Sequence, residues 1–342
     1  MKLPSATSFK QRTPQLLFAA LLAAGAAPSF AADAVAEVRA DQVVDTLEST
    51  FGVHAGQRRN HIKGTCAAGE FVGTPAAATL SSSALFSGKA VPVVARFSLA
   101  GGNPNLPDAA RNARGMALEL RLPGGALQHI TMLNTPVFGA AHPDTFNAML
   151  VASKPDPATG KPNPDKLKDF FASHPDAMSQ AAFLQENGPP AQYYNSAFYS
   201  VHTFKFIDAK KAEHMVRWRF VPHDGEQQLS AAALKTAPHD FLEAGLIARA
   251  AKAPVQWDMI VYEGEPGDPV DNATLAWPEA RRHFKAGTLT IAQATPQAGA
   301  ECEKINFDPL VMADGIAPTS DPILLFRSPA YAFSFAKRLS GQ

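Results

Sequence analysis

The stretch VVARFSLAGG, at residues 93–102, is the most informative part of this sequence. Its β-branched and aromatic residues, followed by two glycines, are typical of a β-strand that ends in a turn. Side chains alternate between the two faces of a strand, so Arg96 and Ser98 share one face while Phe97 lies on the other. An arginine on a buried strand requires an anionic or polar partner, because unpaired charges are rarely buried. The stretch therefore predicts a sheet strand that carries a polar site.

Further strand-like segments flank this stretch, and helical segments interrupt them in blocks. Strands that come in blocks between helices, rather than alternating with them, favour an α+β fold with an antiparallel sheet or barrel. No shift in composition marks a boundary, so we predict one domain. Strand patterns cover residues 93–99, 116–122, 130–138, 202–208, 215–221, 257–263 and 289–292; helical periodicity covers 41–51, 167–187, 229–252 and the tail from Ile323.

Composition and missing motifs narrow the function. The 342 residues are 46% hydrophobic and 18% charged, which suffices for a folded core and excludes a disordered chain. The formal net charge of +0 gives no support to a nucleic-acid or anionic-membrane partner. The sequence contains no GxGxxG, GxxxxGK[ST], GxSxG, HExxH or CxxC motif. The basic cluster of Arg58, Arg59, His61 and Lys63 stays open to three interpretations: a solvated surface, a nucleic-acid patch or a site for an anionic ligand.

The beginning of the chain has the pattern of an export signal. Lys2, Lys10 and Arg12 precede an apolar run of 12 residues at 16–27, and small residues lead up to Ala31. A membrane anchor needs roughly 20 apolar residues, so we expect a secretory signal peptide over residues 1–31 that is cleaved after Ala31. Residues 32–342 would then be a single domain in the periplasm, an oxidising compartment, with no membrane contact after cleavage.

Four segments in order resemble the haem catalase family. They span about 58–338, and four matches in sequence order are far more specific than any one of them. The chain is much shorter than typical catalases, so it looks like the minimal, exported, catalase-related peroxidase branch. The segments are RRNHIKGTCAAGEF (58–71), ARFSLAGG with ARNARGMALEL (95–120), LNTPVF (133–138), and the run from INFDP (305–309) through SDP (320–322) to RSPAY (327–331).

The resemblance implies a catalase-like antiparallel β-barrel core with inserted and C-terminal helices, built around haem b. Tyr331 would ligate the iron, as tyrosinate does in catalases. An unperturbed phenol has a pKa near 10, and Arg327, one helical turn before Tyr331, would favour its charged form. Arg58 and Arg96 match two of the family's propionate-binding arginines. Arg338 would be the third, because it lies seven residues after Tyr331 and on the same helical face.

On the other side of the haem, the resemblance assigns His61 as the general base and then acid that moves the peroxide proton. Asn134 would donate a hydrogen bond to bound peroxide, and Ser98 would orient the imidazole. His54 is an alternative distal histidine, but only His61 has the expected spacing from Arg58 and the following glycines. Phe146 has two equal interpretations, as an aromatic that stacks on the haem or as core packing.

The implied function is a haem peroxidase that reduces hydrogen peroxide or organic hydroperoxides with a small organic electron donor, through an oxoferryl intermediate and with weak catalase activity. The alternatives are a hydroperoxide-rearranging haem protein of the allene oxide synthase kind, and a non-catalytic haem-binding protein. The tetramer and NADPH of large catalases are not expected, because the arm and the helical region associated with them are missing.

Several positions depart from the family pattern. Asn60 replaces an apolar residue before His61, and Asn112 and Ala113 replace an acidic residue and a proline of the access channel, which predicts a wetter, more open pocket. Pro329, between Arg327 and Tyr331, would kink or cap a helix there. Cys66 and Cys302 form either a disulfide or two buried thiols.

Overall fold

The structure is a computed structural model and describes residues 37–342. The predicted signal peptide therefore lies outside the described residues. One sheet contains all ten strands of this part of the chain. They are β1 Gly64–Gly73, β2 Ala90–Leu99, β3 Arg114–Arg121, β4 Leu127–Leu133, β5 Phe198–Tyr199, β6 Phe204–Ile207, β7 Glu213–Pro222, β8 Val255–Glu263, β9 His283–Pro296 and β10 Ile316–Pro318.

The sheet closes on itself. The strand order is β10-β6-β7-β5-β4-β3-β2-β1-β9-β8, and β8 also pairs with β7. Every pairing is antiparallel. The pairing of β7 with β8 closes an eight-stranded barrel, while β6 and β10 extend the sheet beyond it. The prediction of an antiparallel barrel in an α+β fold is confirmed.

Helices lie between and after the strands, and prolines set several of their ends. The predicted helix at 167–187 is broken at Pro175, and the one at 229–252 is broken before Phe241, in the segment that contains Pro238. Proline has no backbone N–H to continue a helix. The helices are α1 Ala40–Phe51, α2 Pro75–Ala78, α3 Pro143–Ala152, α4 Pro164–Ser173, α5 Met178–Glu186, α6 Ala231–Thr236, α7 Phe241–Lys252, α8 Glu301–Lys304 and α9 Pro322–Leu339. Among the described residues, no helix is both long and apolar enough to cross a membrane.

The two faces of β2 show where the site lies. Phe97 is fully buried and packs against Trp257 and Phe198, with ring centroids 5.6 and 5.9 Å apart. These aromatic side chains fill the barrel interior. Arg96 and Ser98 alternate with Phe97 and therefore point outward, where helices α1, α3 and α9 cover the barrel. The polar site predicted on β2 thus lies between the outer face of the barrel and these helices.

A disulfide joins two distant parts of the chain. Cys66 on β1 and Cys302 on α8 are bonded, with their Cα atoms 5.5 Å apart and a sequence separation of 236 residues. Of the two possibilities that the sequence left open, the structure has the disulfide. It fixes α8 and the segment after it against the barrel, next to Arg96, which pairs directly with Cys66 in the β1–β2 ladder.

Candidate active site

One cavity lies between the barrel and the covering helices. It encloses about 1350 Å³ of empty space, counting its open mouth. Its barrel side is formed by β2, β3 and β4 together with the segment before β1, and its helical side by α1, α3 and α9. Eight of the nine site residues expected from the sequence line this cavity: Arg58, His61, Arg96, Ser98, Phe146, Arg327, Tyr331 and Arg338. Asn134 does not, and neither does the alternative histidine, His54.

His61 is fixed in an uncommon backbone conformation. Its φ is +52°, in the left-handed region that only a few per cent of non-glycine residues adopt. The Asn60 Oδ1 atom accepts hydrogen bonds from the backbone N–H groups of His61 and Gly101, both at 2.8 Å. Arg96 Nη2 donates to the His61 carbonyl oxygen at 2.7 Å. These contacts hold the backbone so that the imidazole lies against β3.

The imidazole ring is oriented by Ser98 and by a missing side chain. His61 Nδ1 is hydrogen-bonded to Ser98 Oγ at 2.9 Å, which leaves Nε2 for the cavity. A Cβ atom at Gly115 would lie 3.1 Å from the imidazole and 2.9 Å from Ser98 Oγ. Gly115 therefore gives the ring its space. Ser98 lies where an orienting residue must lie, while its catalytic role stays a prediction.

The environment of His61 favours the neutral ring. Burial lowers the pKa of His61 to about 3, and the nearby cations of Arg96, Arg327 and Arg58 add to the effect. A neutral imidazole at physiological pH can accept a proton at Nε2. This protonation state suits a general base.

Asn134 lies at the end of the β3–β4 ladder. It follows the last residue of β4, and its Oδ1 atom accepts a hydrogen bond from Arg114 N at 2.6 Å while its own N–H donates to the Arg114 carbonyl at 2.9 Å. The side-chain oxygen thereby replaces a backbone carbonyl and extends the β3–β4 ladder by one step. Asn134 thus extends a ladder through its side-chain oxygen and its neighbour Leu133 lines the cavity, while the assignment of Asn134 as the distal hydrogen-bond donor stays a prediction.

Of the three positions expected to make the pocket wetter, only Asn60 lines the cavity. Asn60 lines it, but its Oδ1 atom already accepts the two backbone hydrogen bonds described above. Asn112 does not line the cavity and donates to the Ala100 carbonyl at 2.9 Å, and Ala113 is buried away from the cavity. Positions 112 and 113 therefore do not form part of the cavity lining, and the wetter pocket stays a prediction.

Helix α9 carries the tyrosine. It continues through Pro329, so Arg327 and Tyr331 stay one turn apart. Arg327 Nη2 donates to Tyr331 Oη at 2.7 Å. A hydrogen bond from a permanently charged guanidinium stabilises negative charge on the phenolic oxygen. The pair therefore presents to the cavity a phenolic oxygen that is held by a guanidinium.

The start of α9 is fixed by a buried carboxylate. Asp321 Oδ1 accepts from the N–H groups of Ile323 and Leu324, as an N-cap does. Its Oδ2 atom lies 2.7 Å from Nδ1 of His202, and both side chains are almost fully buried. His202 lines the cavity beside α9. Asp321 thus ties the helix that carries Tyr331 to the sheet.

Three arginines on the cavity lack an anionic partner. Arg58 donates to the carbonyls of Cys302 and Ile305, and Arg338 to that of Lys304. Arg96 donates to Gln297 Oε1 at 2.7 Å. Within residues 37–342 none of the three forms a salt bridge. Burial, followed by repulsion from the other two arginines, lowers the pKa of Arg58 to about 8. Burial likewise lowers the pKa of Arg96 to about 10.

Phe146 lies on the helical side of the cavity. It projects from α3, is half-buried, and packs against Phe138 with ring centroids 5.6 Å apart. Both rings line the cavity. This position fits both interpretations of Phe146, haem stacking and core packing, because the ring lines the cavity and also packs against an apolar cluster, so its role stays a prediction.

Sequence reasoning missed several residues that shape the site. A Cβ atom at Gly64 would overlap the guanidinium of Arg96, so Gly64 makes room for it. Gln297 and Asp321 hold Arg96 and α9, and Leu133 forms part of the wall. Gly64 and Gly115 lie inside the matched segments, which was a usable signal. Nothing local marks Gln297, because its role depends on a contact across 201 residues.

The donor set defines the class of ligand. Three cavity arginines without a carboxylate partner fit a group with two carboxylates, and a tyrosine oxygen that accepts a hydrogen bond from arginine fits a ferric ion. A haem has both features, and the residues present therefore fit it. The closed barrel with this cavity defines a haem-binding oxidoreductase of the catalase type.

Comparisons with known proteins agree. The catalase family model matches residues 40–342, and the chain belongs to the catalase family. A catalase-related peroxidase of Synechococcus elongatus is 54% identical over 304 residues, which cover 89% of this chain and 90% of that protein. A catalase-related peroxidase of Mycolicibacterium paratuberculosis is 32% identical and covers 87% and 94%. The resemblance to this branch is confirmed, and the chain is an oxidoreductase acting on peroxide.

Large catalases share the fold but extend beyond it. Catalase A from Saccharomyces cerevisiae superposes with a TM-score of 0.78 at 24% identity, over 84% of this chain and 62% of that one. The catalase of Schizosaccharomyces pombe is 28% identical, and the match covers 61% of its length. This chain therefore spans about three fifths of the catalases that it matches.

Proposed function

We propose that this protein binds haem b and reduces hydrogen peroxide or organic hydroperoxides with a small organic electron donor, with weak catalase activity. One observation carries the proposal. A neutral histidine fixed by Ser98 and a tyrosine paired with Arg327 line the same cavity, His61 on the barrel side and Tyr331 on α9. The names of the two catalase-related peroxidases support the same activity.

The chain's own residues would act on the cofactor and on the proton. Tyr331 would ligate the iron, with Arg327 holding negative charge on its oxygen. Arg58, Arg96 and Arg338 would bind the two propionates, which supply the anions that these cations lack. When bound, haem would hold the two oxidising equivalents that the peroxide delivers, and the organic donor would then be oxidised by them.

His61 would move the proton. Its neutral Nε2 accepts the proton of the incoming hydroperoxide and returns it to the departing oxygen, a contribution of about 10²–10⁴-fold. The hydrogen bond that the Nδ1–H group donates to Ser98 Oγ keeps Nε2 directed at the cavity during both transfers. Water is limited on the helical side by apolar side chains of α1, namely Val43, Val44 and Leu47.

Peroxide turnover by a histidine variant tests the proposal. The haem-loaded protein is given hydrogen peroxide or cumene hydroperoxide with the chromogenic donor ABTS. We expect His61→Ala to lower kcat/KM by about 10²–10⁴-fold with haem occupancy unchanged. His54→Ala is the matched control, because His54 lies outside the cavity, and it should keep the activity.

Two other outcomes identify the alternatives. A wild-type protein that binds haem and oxidises no donor would be a haem-binding protein without this activity. Consumption of a fatty-acid hydroperoxide without any donor would indicate a rearranging enzyme. Either result would refute the peroxidase proposal.

We also propose that the protein acts in the periplasm after cleavage near Ala31. The basic and apolar pattern of residues 1–31 supports export. The Cys66–Cys302 disulfide is compatible with an oxidising compartment. Fractionation of cells and N-terminal sequencing of the purified protein test this, and an intact Met1 would contradict it.

A further inference from the structure

Thr131, on β4, lies on the same side of the cavity as His61. In the β2–β3–β4 ladders, Arg96 pairs with Ala117, and Ala117 pairs with Thr131. Residues directly opposite each other in an antiparallel sheet present their side chains on the same face. Thr131 is therefore on the outer face of the barrel, together with Arg96 and Ser98, and the lining of the cavity includes it.

The hydroxyl group of Thr131 has no hydrogen-bond partner. Thr131 is only 8% exposed, and within residues 37–342 its Oγ1 atom is buried without a donor or an acceptor in reach. A buried polar group without a partner destabilises the folded protein. Valine has the same branched shape and an equal preference for strands. The fold alone would therefore favour valine here, and the hydroxyl group indicates a role toward a ligand.

The other polar side chains of this wall are already held. Among the residues that β2, β3 and β4 contribute to the lining, they are Arg96 and Ser98. Ser98 Oγ is bonded to Nδ1 of His61. Arg96 donates to the His61 carbonyl oxygen and to Gln297 Oε1, which lie toward β1 and away from β4. Rotation about χ1 exchanges the hydroxyl and methyl groups of a threonine, so the hydroxyl group of Thr131 is available to a molecule in the cavity.

The spacing between Thr131 and the imidazole suits one small polar molecule. A Cβ atom at Gly115 would lie 3.1 Å from the ring of His61. Gly115 pairs with Leu133, so Thr131 is its diagonal neighbour on the same face. Diagonal neighbours lie about 7–8 Å apart. Two hydrogen bonds of about 2.8 Å to the two ends of one O–O bond cover a distance of this order.

We propose that Thr131 is a further catalytic residue: its hydroxyl group donates a hydrogen bond to a bound hydroperoxide while His61 accepts the proton of that hydroperoxide. The inference rests on the proposed peroxidase function. Negative charge develops on the departing oxygen as the O–O bond breaks, and a donor placed there stabilises it.

The proton balance leaves Thr131 unchanged. The departing oxygen receives the proton that His61 returns, so the threonine hydroxyl gains and loses none. In the whole reaction the hydroperoxide takes up two electrons and two protons from two molecules of the organic donor. It leaves as water and, from an organic hydroperoxide, an alcohol. The hydrogen bond is made to an oxygen that both kinds of peroxide contain, so Thr131 serves both.

Two substitutions at Thr131 test the proposal. Thr131→Val removes the hydroxyl group and keeps the shape, and Thr131→Ser is the matched control that keeps the hydroxyl group. The haem-loaded proteins are given hydrogen peroxide or cumene hydroperoxide with ABTS as the donor. We expect Thr131→Val to lower kcat/KM by about tenfold or more for both peroxides, and Thr131→Ser to stay within about threefold of the wild type.

Fluoride binding provides a readout that does not depend on turnover. Fluoride is titrated into each haem-loaded protein and followed by the Soret band, because a fluoride ion on ferric iron accepts hydrogen bonds from nearby donors. A hydrogen bond to an anion is stronger than one between neutral groups. We therefore expect about tenfold weaker fluoride binding in Thr131→Val and an affinity close to that of the wild type in Thr131→Ser.

The thermal stability distinguishes a catalytic role from a structural one. In the absence of peroxide, the haem-loaded Thr131→Val protein should have a Tm at least as high as that of the wild type, because the substitution removes an unpartnered polar group. A clearly lower Tm would assign the hydroxyl group to the fold and overturn the proposal. Wild-type kcat/KM together with wild-type fluoride affinity in Thr131→Val would also overturn it.

The design separates this inference from the proposed function. If the wild type turns over no peroxide with any donor, the proposed function and the catalytic role of Thr131 fail together. If the wild type and both variants turn over peroxide at the same rate and bind fluoride equally, the proposed function stands and the role of Thr131 is refuted.

Discussion

Glu48, on α1, holds two cations from distant parts of the chain. Its Oε1 atom accepts from Arg59 Nε at 2.7 Å, and its Oε2 atom accepts from Lys337 Nζ at 2.7 Å. Each of these cations is the sequence neighbour of an arginine that lines the cavity, Arg58 in one case and Arg338 in the other. We therefore expect Glu48→Gln to weaken both attachments at once and to loosen two of the three arginines that would bind the propionates.

The expected loss of stability follows from burial. The side chains of Arg59 and Glu48 are 2% and 15% exposed, so the variant leaves a buried cation without its anion. Breaking such a pair costs about 3 kcal/mol. With an unfolding entropy of about 2 cal/mol/K per residue, a domain of about 300 residues loses roughly 5 °C in Tm. Asp45→Asn is the control, because Asp45 also pairs with Lys337 but is 65% exposed. It should cost less than about 1 kcal/mol.

The pH dependence of Tm provides a second test of the Glu48 contacts. Burial opposes ionisation of Glu48, but hydrogen bonds from Lys337 and Arg59 outweigh it and lower its pKa below the usual value. A carboxylate with a lowered pKa in the folded state stabilises the protein above its unfolded pKa, and this contribution is lost as the pH falls through the folded pKa. The difference in Tm between wild type and Glu48→Gln should therefore be largest near neutral pH and shrink in acid.

Calorimetry and a haem-transfer assay measure these effects. The Tm of each haem-loaded protein comes from scanning calorimetry, and the rate of haem loss comes from transfer to excess apomyoglobin. We expect Glu48→Gln to have the lower Tm and the faster transfer, with Asp45→Asn close to the wild type. Equal effects of the two substitutions would refute the reasoning, since the carboxylates would then matter equally despite their different burial.

Three further predictions concern the ligand, the disulfide and a glycine. Tyr331→Phe should fold but lose the wild-type Soret spectrum in a hemin titration, and an unchanged spectrum would rule out phenolate ligation. Cys66→Ser combined with Cys302→Ser removes a cross-link that spans 236 residues; in the chain-entropy model this costs about 5 kcal/mol, and a Tm equal to that of the wild type would contradict it. Gly64→Ala should destabilise the protein by about 1–3 kcal/mol and weaken hemin binding. The new methyl group would overlap the Arg96 guanidinium and lie 2.7 Å from the Phe97 carbonyl oxygen. Hemin binding at wild-type affinity would show that the position of Arg96 is not needed for hemin binding.

Local patterns predicted many of the elements. The apolar spacing in α1 and the β-forming run of β2 locate both elements to within a few residues. The end of β4 was predicted five residues too late, because 134–138 looks like a strand although Pro136 cannot pair as one. The pairing of β7 with β8, which closes the barrel, has no local signature.

The placement of Asn134 depends on the register at the end of β4. Adjacent residues on a strand face opposite sides, so a shift of one position exchanges the cavity side with the other. The motif LNTPVF identifies the right segment but does not decide which of its first two residues faces the ligand. Only the ladder partners, Gly115 for Leu133 and the Arg114 backbone for Asn134, decide this.

The way in which the cavity arginines are held explains why they can receive an anionic group. Arg58 and Arg338 are oriented by carbonyl oxygens of residues 302–305 rather than by carboxylates. Carbonyls fix direction without cancelling charge, so the positive charge remains for a ligand. The same segment carries Cys302, whose bond to β1 keeps these carbonyls in place beside Arg96. Carboxylates such as Glu48 act on neighbouring cations instead, and the site is thus oriented from two sides while its own charge stays available.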